Sequence, residues 1–187
     1  MMKTASQAFT LIELLVVVAI IGILTSIAMP NFQHAQVKAK TTRALADMRT
    51  LVTALEAYST DNNSYPLDGN DYFERDEELY DQIRIQSVLT TPVPYISELF
   101  SDIFHTRETQ IEDPLVRRLF QDRPPFPYVY MTKDNVVLHR GNPHAYFIFS
   151  FGPDKDLDNA SSQPEDILVY DTTNGIISDG DILRKGP

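Results

Sequence analysis

The run LLVVVAIIGILTSIAM at residues 14–29 decides what the amino terminus can become. Apolar side chains fall on every side of a helical wheel, so a helix here has no face to offer water and belongs in lipid or in a protein interior. After Glu13 no formally charged side chain appears until Lys38. Glu13 is the anomaly in this pattern. An ionisable group inside a bilayer costs roughly 2.5–3.5 kcal/mol near the centre and less toward the interface, so the carboxylate calls for a partner.

Two plain readings leave that partner unnamed. A secretory signal would use Leu14–Leu24 as its apolar region and Ser26-Ile27-Ala28 as its small-x-small cleavage site, but it needs a basic flank. The flank here is FTLIE, and Lys3 is the only basic side chain before it. A simple amino-terminal anchor gives no reason to keep Glu13.

The stretch AFTLIELLVVVAIIGIL, followed by Pro30, resembles the amino-terminal motif of type IV pilins and type II secretion pseudopilins. The resemblance is dense over Ala8–Phe32. It implies that a leader, residues 1–8, is removed by a prepilin peptidase between Ala8 and Phe9, and that the new amine of Phe9 is methylated. Ala8 stands where the family usually has Gly. The resemblance also supplies the missing partner: in a filament, Glu13 would pair with the Phe9 amine of a neighbouring subunit. Opposite charges a few ångströms apart in a low-dielectric medium attract strongly, and either one alone is heavily penalised. Lys3 against Lys38, Lys40 and Arg43 would by the positive-inside rule alone favour the reverse orientation, whereas the family motif implies a translocated head.

The chain has 187 residues, so with about 30 committed to the membrane the remaining ~155 make one domain of ordinary size. A hydrophobic share of 43% excludes wholesale disorder. The net charge of −10 works against nucleic-acid binding through phosphate neutralisation. With no cysteine, disulfides, thiolate catalysis and Cys-based metal sites are excluded.

From Asn31 to about Ser59 there is no Gly or Pro, and Leu45, Met48, Val52 and Leu55 recur at helical spacing. One helix is expected from Phe9 to about Tyr58. Its part at 9–30 would serve as membrane span or filament core, and its part at 31–60 would be amphipathic. Pro30 removes a backbone hydrogen bond and is expected to kink or locally melt the helix; alternatively it marks the start of a separate soluble helix. Gly22 permits close helix contact or has no such role. YSTDNNSYP, residues 58–66, ends the helix in turn-forming residues and resembles the helix exit of major-type pseudopilins.

The segment 61–127 reads as an acidic insert: between Asp61 and Asp122 there are 14 acidic and 5 basic residues, a balance of −9. Short helices are expected near Glu77–Leu89 and Tyr95–Phe104, the second from the spacing of Ile96, Leu99, Phe100 and Ile103. Beyond it, residues 128–187 carry alternating apolar and β-branched runs, YVYMT at 128, VVLH at 136, AYFIFSF at 145 and ILVYDTTNGIIS at 167, with Asn174-Gly175 as a hairpin signal. The fold class is α+β, a pilin-like long amino-terminal helix on a small antiparallel sheet.

SFGPDKDLDNASSQPEDI, residues 150–167, is the one stretch of the head with site chemistry. Asp154, Asp156 and Asp158 alternate and Glu165 falls at the last position of a twelve-residue calcium loop, but Asn159 replaces the turn glycine and no flanking helix is evident. The resemblance to the major pseudopilin type implies a calcium ion there, held by Ser150, Asp154, Asp156, Asp158 and Asp166 around Gly152. A polar turn of solvated acids is the alternative. His139 and His144 flank a turn and are a weak metal signal, and no phosphate loop, nucleophile elbow or HExxH is present.

The resemblance implies a structural role without catalysis: a homo-oligomeric filament subunit, assembled with other pseudopilins on an inner-membrane platform, with its head in the periplasm. A type IV pilin, or a minor pseudopilin at a filament tip serving adhesion or DNA uptake, is the alternative. A membrane-tethered binding domain is a third, which would need neither a free Phe9 nor Glu13.

Overall fold

The computed structural model describes residues 9–67, 87–106, 127–132, 144–155, 168–171, 173, 178 and 180–187. The chain divides into two units, Met1–Gln36 and Val37–Pro187, and helix α1, Leu11–Asn62, contributes to both.

In the first unit, every residue from Phe9 to Gln36 is exposed, the apolar side chains included. The helix continues through Pro30 without interruption, so the local melting expected there does not occur. A helix apolar all round and wholly unburied is stable only in lipid or against other chains. Gly22 meets nothing within 4 Å, so a methyl group there would not disturb the lone subunit.

In the second unit, α1 buries one stripe: Thr41, Ala44, Met48, Leu51, Ala54 and Leu55. Met48 and Leu55 are fully buried, as expected of them, and Leu45 and Val52 pack partly buried beside them. The stripe lies against a three-stranded antiparallel sheet of β1 (Val129–Thr132), β2 (Tyr146–Ser150) and β3 (Ile182–Lys185), in the order β1-β2-β3. The pairs Tyr130↔Ile148, Thr132↔Tyr146 and Ser150↔Ile182 set the register. Side chains alternate along a strand, so Tyr130, Tyr146, Ile148 and Ile182 share the face that joins the helix core. Val129, Met131, Phe147 and Phe149 occupy the other face and are buried as well.

Tyrosines carry this interface because their rings fill the core while their hydroxyls reach helix carboxylates. Tyr128 donates to Asp47 at 3.0 Å, Tyr146 and Tyr65 donate to the two oxygens of Glu56 at 2.8 and 3.0 Å, and Tyr95 donates to Asp61 at 2.8 Å. Asp47 also lies 3.8 Å from Arg43. Burial and the neighbouring acids push the Tyr128 and Tyr146 phenols well above their ordinary range, so they remain donors at any physiological pH.

Two expectations are corrected. Tyr95–Phe104 is not a helix: it runs as bends to a single bridge, Ser101↔Pro127. Tyr95 N and Ile96 N both donate to Leu89 O, an arrangement that folds the chain back after Pro92 and Pro94 and leaves no i→i−4 ladder to start. Ile96 is buried as the spacing implied, but Leu99 is exposed. In ILVYDTTNGIIS, Leu168 and Tyr170 are not in a strand, and Val169 makes only an isolated parallel bridge to Asp181. The third strand instead comes from ILRK at the carboxyl end. Residues 77–86, the VVLH run and Asn174-Gly175 lie outside the described residues.

Candidate functional site

Two places bear on function, one in each unit. At the amino terminus, Thr10 and Glu13 form a reciprocal cap at the start of α1. Thr10 N donates to Glu13 Oε2 at 2.8 Å, Thr10 Oγ1 donates to the same oxygen at 2.6 Å, and Glu13 N donates to Thr10 Oγ1 at 3.3 Å. This is a capping box, which satisfies amide donors that a helix start otherwise leaves open. Its signature, Thr-x-x-Glu, is present in FTLIEL and is the signal that reveals it. The carboxylate therefore has a local partner before any neighbour arrives. Phe9, directly before the cap, is largely exposed; Ala8 lies outside the described residues.

In the second unit, the acidic stretch springs from a fixed root. Gly152 has a φ of 67° and comes so close to Gly180 that a Cβ on it would lie 2.5 Å from Gly180 O and 3.2 Å from Asp154 Oδ1. Asp181 N donates to Leu168 O at 2.9 Å, and Tyr170 N donates to Asp181 O at 3.0 Å. Gly152 and Leu168 are thus both tied to 180–181.

Of the residues expected to hold calcium, Ser150 is fully buried at the end of β2 with its hydroxyl donating to Asp102 at 2.7 Å. Asp154 lies partly buried in the turn after Gly152. Asp156, Asp158, Glu165 and Asp166 lie outside the described residues. Among the described residues no group of three or more His, Cys, Asp or Glu comes together. His144 points its Nδ1 at Gly186 O, 3.0 Å away, and sets its ring edge-on to Phe147; His139 lies outside the described residues.

Asp102 is a functional candidate with no signal in its local sequence. It is buried, accepting from Ser150 Oγ, from Phe104 N at 2.9 Å and from Phe151 N at 3.2 Å. Nothing in SDIF marks it, because its partners lie 48 and 49 residues along the chain. Burial pushes its carboxyl up to about 6 from an ordinary 3.8, against the lowering by Ser150 and the backbone donors. A raised folded-state value means that the group's contribution to stability is fully present below pH ~4 and lost as pH rises through ~6. A shift of about two units corresponds to about 3 kcal/mol. The stability difference between wild type and Asp102→Asn, measured by urea unfolding, is therefore expected to move by about 2 kcal/mol against wild type between pH 4 and pH 7; a difference that stays constant with pH would refute this.

The prokaryotic N-terminal methylation motif matches residues 3–29, the segment that contains the cap and the start of the exposed helix. A type II secretion system core protein G of Aeromonas hydrophila is 42% identical over 35% of this chain and 46% of its own length. The chain thus spans under half the length of that relative. A core protein G of Dickeya chrysanthemi is 27% identical over 96% of this chain and 95% of its own length. The type IV major pilin PilA of Myxococcus xanthus is 34% identical over 48% of this chain and 45% of its own length. No solved structure matches the chain. The chain thus carries the N-terminal methylation motif on a long amino-terminal helix followed by a small antiparallel sheet, and it is similar to type II secretion system core proteins G and to a type IV major pilin.

Proposed function

We propose that the chain is a structural subunit of a type II secretion pseudopilus, held in the inner membrane by one span with its head in the periplasm and polymerised for protein export. One observation carries the reading: the methylation motif coincides with a largely apolar helical segment of which no residue from Phe9 to Gln36 is buried. Similarity to core protein G along nearly the whole length supports this system over others. In this role the prepilin peptidase cuts between Ala8 and Phe9, Glu13 meets the Phe9 amine of the next subunit, and an inner-membrane platform adds subunits together with other pseudopilins. The chain catalyses nothing. Similarity to a Myxococcus major pilin favours a type IV pilin as the second reading. Deleting the gene separates the two: loss of exoprotein secretion with surface piliation intact supports the pseudopilus, and the reverse supports the pilus.

We further propose that the loop after Gly152 holds calcium. The tight approach of Gly152 to Gly180 O and the bond from Asp181 N to Leu168 O support this, since both described ends of the stretch are tied to 180–181. A hard cation would offset part of the charge of Asp154, Asp156, Asp158, Glu165 and Asp166 and fix a segment that no disulfide fixes. Calcium at a hundred times its dissociation constant is expected to stabilise the head by about 2.7 kcal/mol. A thermal melt with and without chelator reads this directly, and an unchanged midpoint would remove the metal.

A further inference from the structure

Beyond its apolar run the helix carries uncompensated positive charge. No acidic side chain occurs between Glu13 and Asp47, whereas Lys38, Lys40 and Arg43 all fall there, in a chain whose net charge is −10. All three basic residues are exposed. Arg43 lies 3.8 Å from Asp47, and among the described residues neither lysine has an ion pair. By helical spacing Lys40 and Arg43 share one side of α1 and Lys38 lies on another, and both sides flank the stripe that Thr41, Ala44 and Met48 bury. The three charges therefore form a collar around the exposed part of the helix.

We propose that Lys38, Lys40 and Arg43 bind the anionic headgroups of phospholipids at the membrane surface where α1 emerges. The proposal rests on the single-span reading above. A hydrocarbon core of about 30 Å takes about 20 helical residues, and counted from Glu13 the last of these is Phe32. At ~1.5 Å per residue along α1, Lys38 and Lys40 stand at most about 9 and 12 Å beyond the hydrocarbon edge, and Arg43 at most about 17 Å. The headgroup layer fills roughly the first 5–8 Å of that distance, and long basic side chains reach back to it with their charged ends. Both lysines are thus within reach of lipid phosphate, and Arg43 adds to the attraction from about one Debye length away. The first acidic residue beyond the span is Asp47, so lipid phosphate is the anion on offer to the two lysines in an unassembled subunit. Positive charge just past a span also opposes insertion with the head translocated, a cost that headgroup binding offsets. The collar would hold the unassembled subunit at a fixed depth in the bilayer.

The test uses the full chain reconstituted in phosphatidylcholine vesicles that carry a trace of spin-labelled phosphatidylglycerol or spin-labelled phosphatidylcholine. The motionally restricted fraction of each label gives its relative association with the protein. Wild type at low salt is expected to prefer phosphatidylglycerol about fivefold or more, since one basic side chain near an anionic surface is worth about that factor. Salt at ~1 M, where the Debye length is about 3 Å, is expected to remove most of the preference. Lys38→Gln combined with Lys40→Gln is expected to lower it about threefold or more, and adding Arg43→Gln to bring it near unity. Arg49→Gln, at an exposed position further along α1, is the control and is expected to leave it unchanged. Equal association of the two lipids with wild type, or an undiminished preference in the triple variant, overturns the collar while the span stands. A triple variant that keeps the preference but loses self-association assigns these side chains to a second copy of the chain and overturns it too. If neither label shows a restricted fraction, the chain does not cross the bilayer, and the span reading falls with the collar. Should the triple variant fail to fold, the lysine pair decides, because it leaves the Arg43 contact with Asp47 in place.

Discussion

Glu13→Ala is expected to lower filament yield at least tenfold while leaving the precursor in the membrane and its cleavage after Ala8 intact. The substitution removes one member of the proposed charge pair and leaves the Phe9 ammonium of each neighbour without a counter-ion in a poorly solvated site. Breaking such a pair by removing one side costs roughly 3–5 kcal/mol, far more than a tenfold effect requires. The capping box complicates this in a way that can be separated. Glu13 also accepts from Thr10 N and Thr10 Oγ1, so alanine costs a cap as well, worth about 1 kcal/mol. Thr10→Ala removes the hydroxyl half of the cap and keeps the carboxylate, so its assembly defect is expected to be several-fold smaller. Equal defects in the two variants would assign the role of Glu13 to the helix start rather than to the neighbour.

Gly152→Ala is expected to destabilise the head by about 2–4 kcal/mol. A non-glycine residue in the left-handed region costs about 1–2 kcal/mol, and the φ of 67° places Gly152 there. The added Cβ would also lie 2.5 Å from Gly180 O, a backbone atom that cannot rotate away. Relieving the overlap means separating the loop root from 180–181, where Asp181 holds the far end of the same loop. At roughly 2–4 °C per kcal/mol for a domain of this size, the melting midpoint is expected to fall by about 4–16 °C. Gly22→Ala is the matched control: nothing lies within 4 Å of that position in the lone subunit, and the midpoint is expected to stay where it is.

What the sequence made legible follows the range of the interactions. The amino-terminal helix was readable because apolar character on every side is a local property, and the stripe through Met48 and Leu55 because its period is local too. Strands β1 and β2 were readable from β-branched and aromatic runs in YVYMT and AYFIFSF. Strand β3 was not, since ILRK is short and half polar and owes its place to pairing with β2. The helix expected at Tyr95–Phe104 failed for a related reason. Ile96, Leu99, Phe100 and Ile103 have helical spacing, but Leu89 O takes both Tyr95 N and Ile96 N and the segment docks through Asp102 instead. Glu13 stands out by its charge, and its Thr10 cap is spelled in the same five letters, FTLIE. Asp102 could not be found at all, because its importance lies in burial and in partners from a distant strand.

The central claim is that this helix is a processed filament terminus, and the mass of the mature amino-terminal peptide tests it most directly. The account predicts a chain that begins at Phe9 and carries one methyl group on its α-amine. An amino terminus at Met29, as a secretory signal would leave, or an unprocessed leader in assembled material, would contradict it.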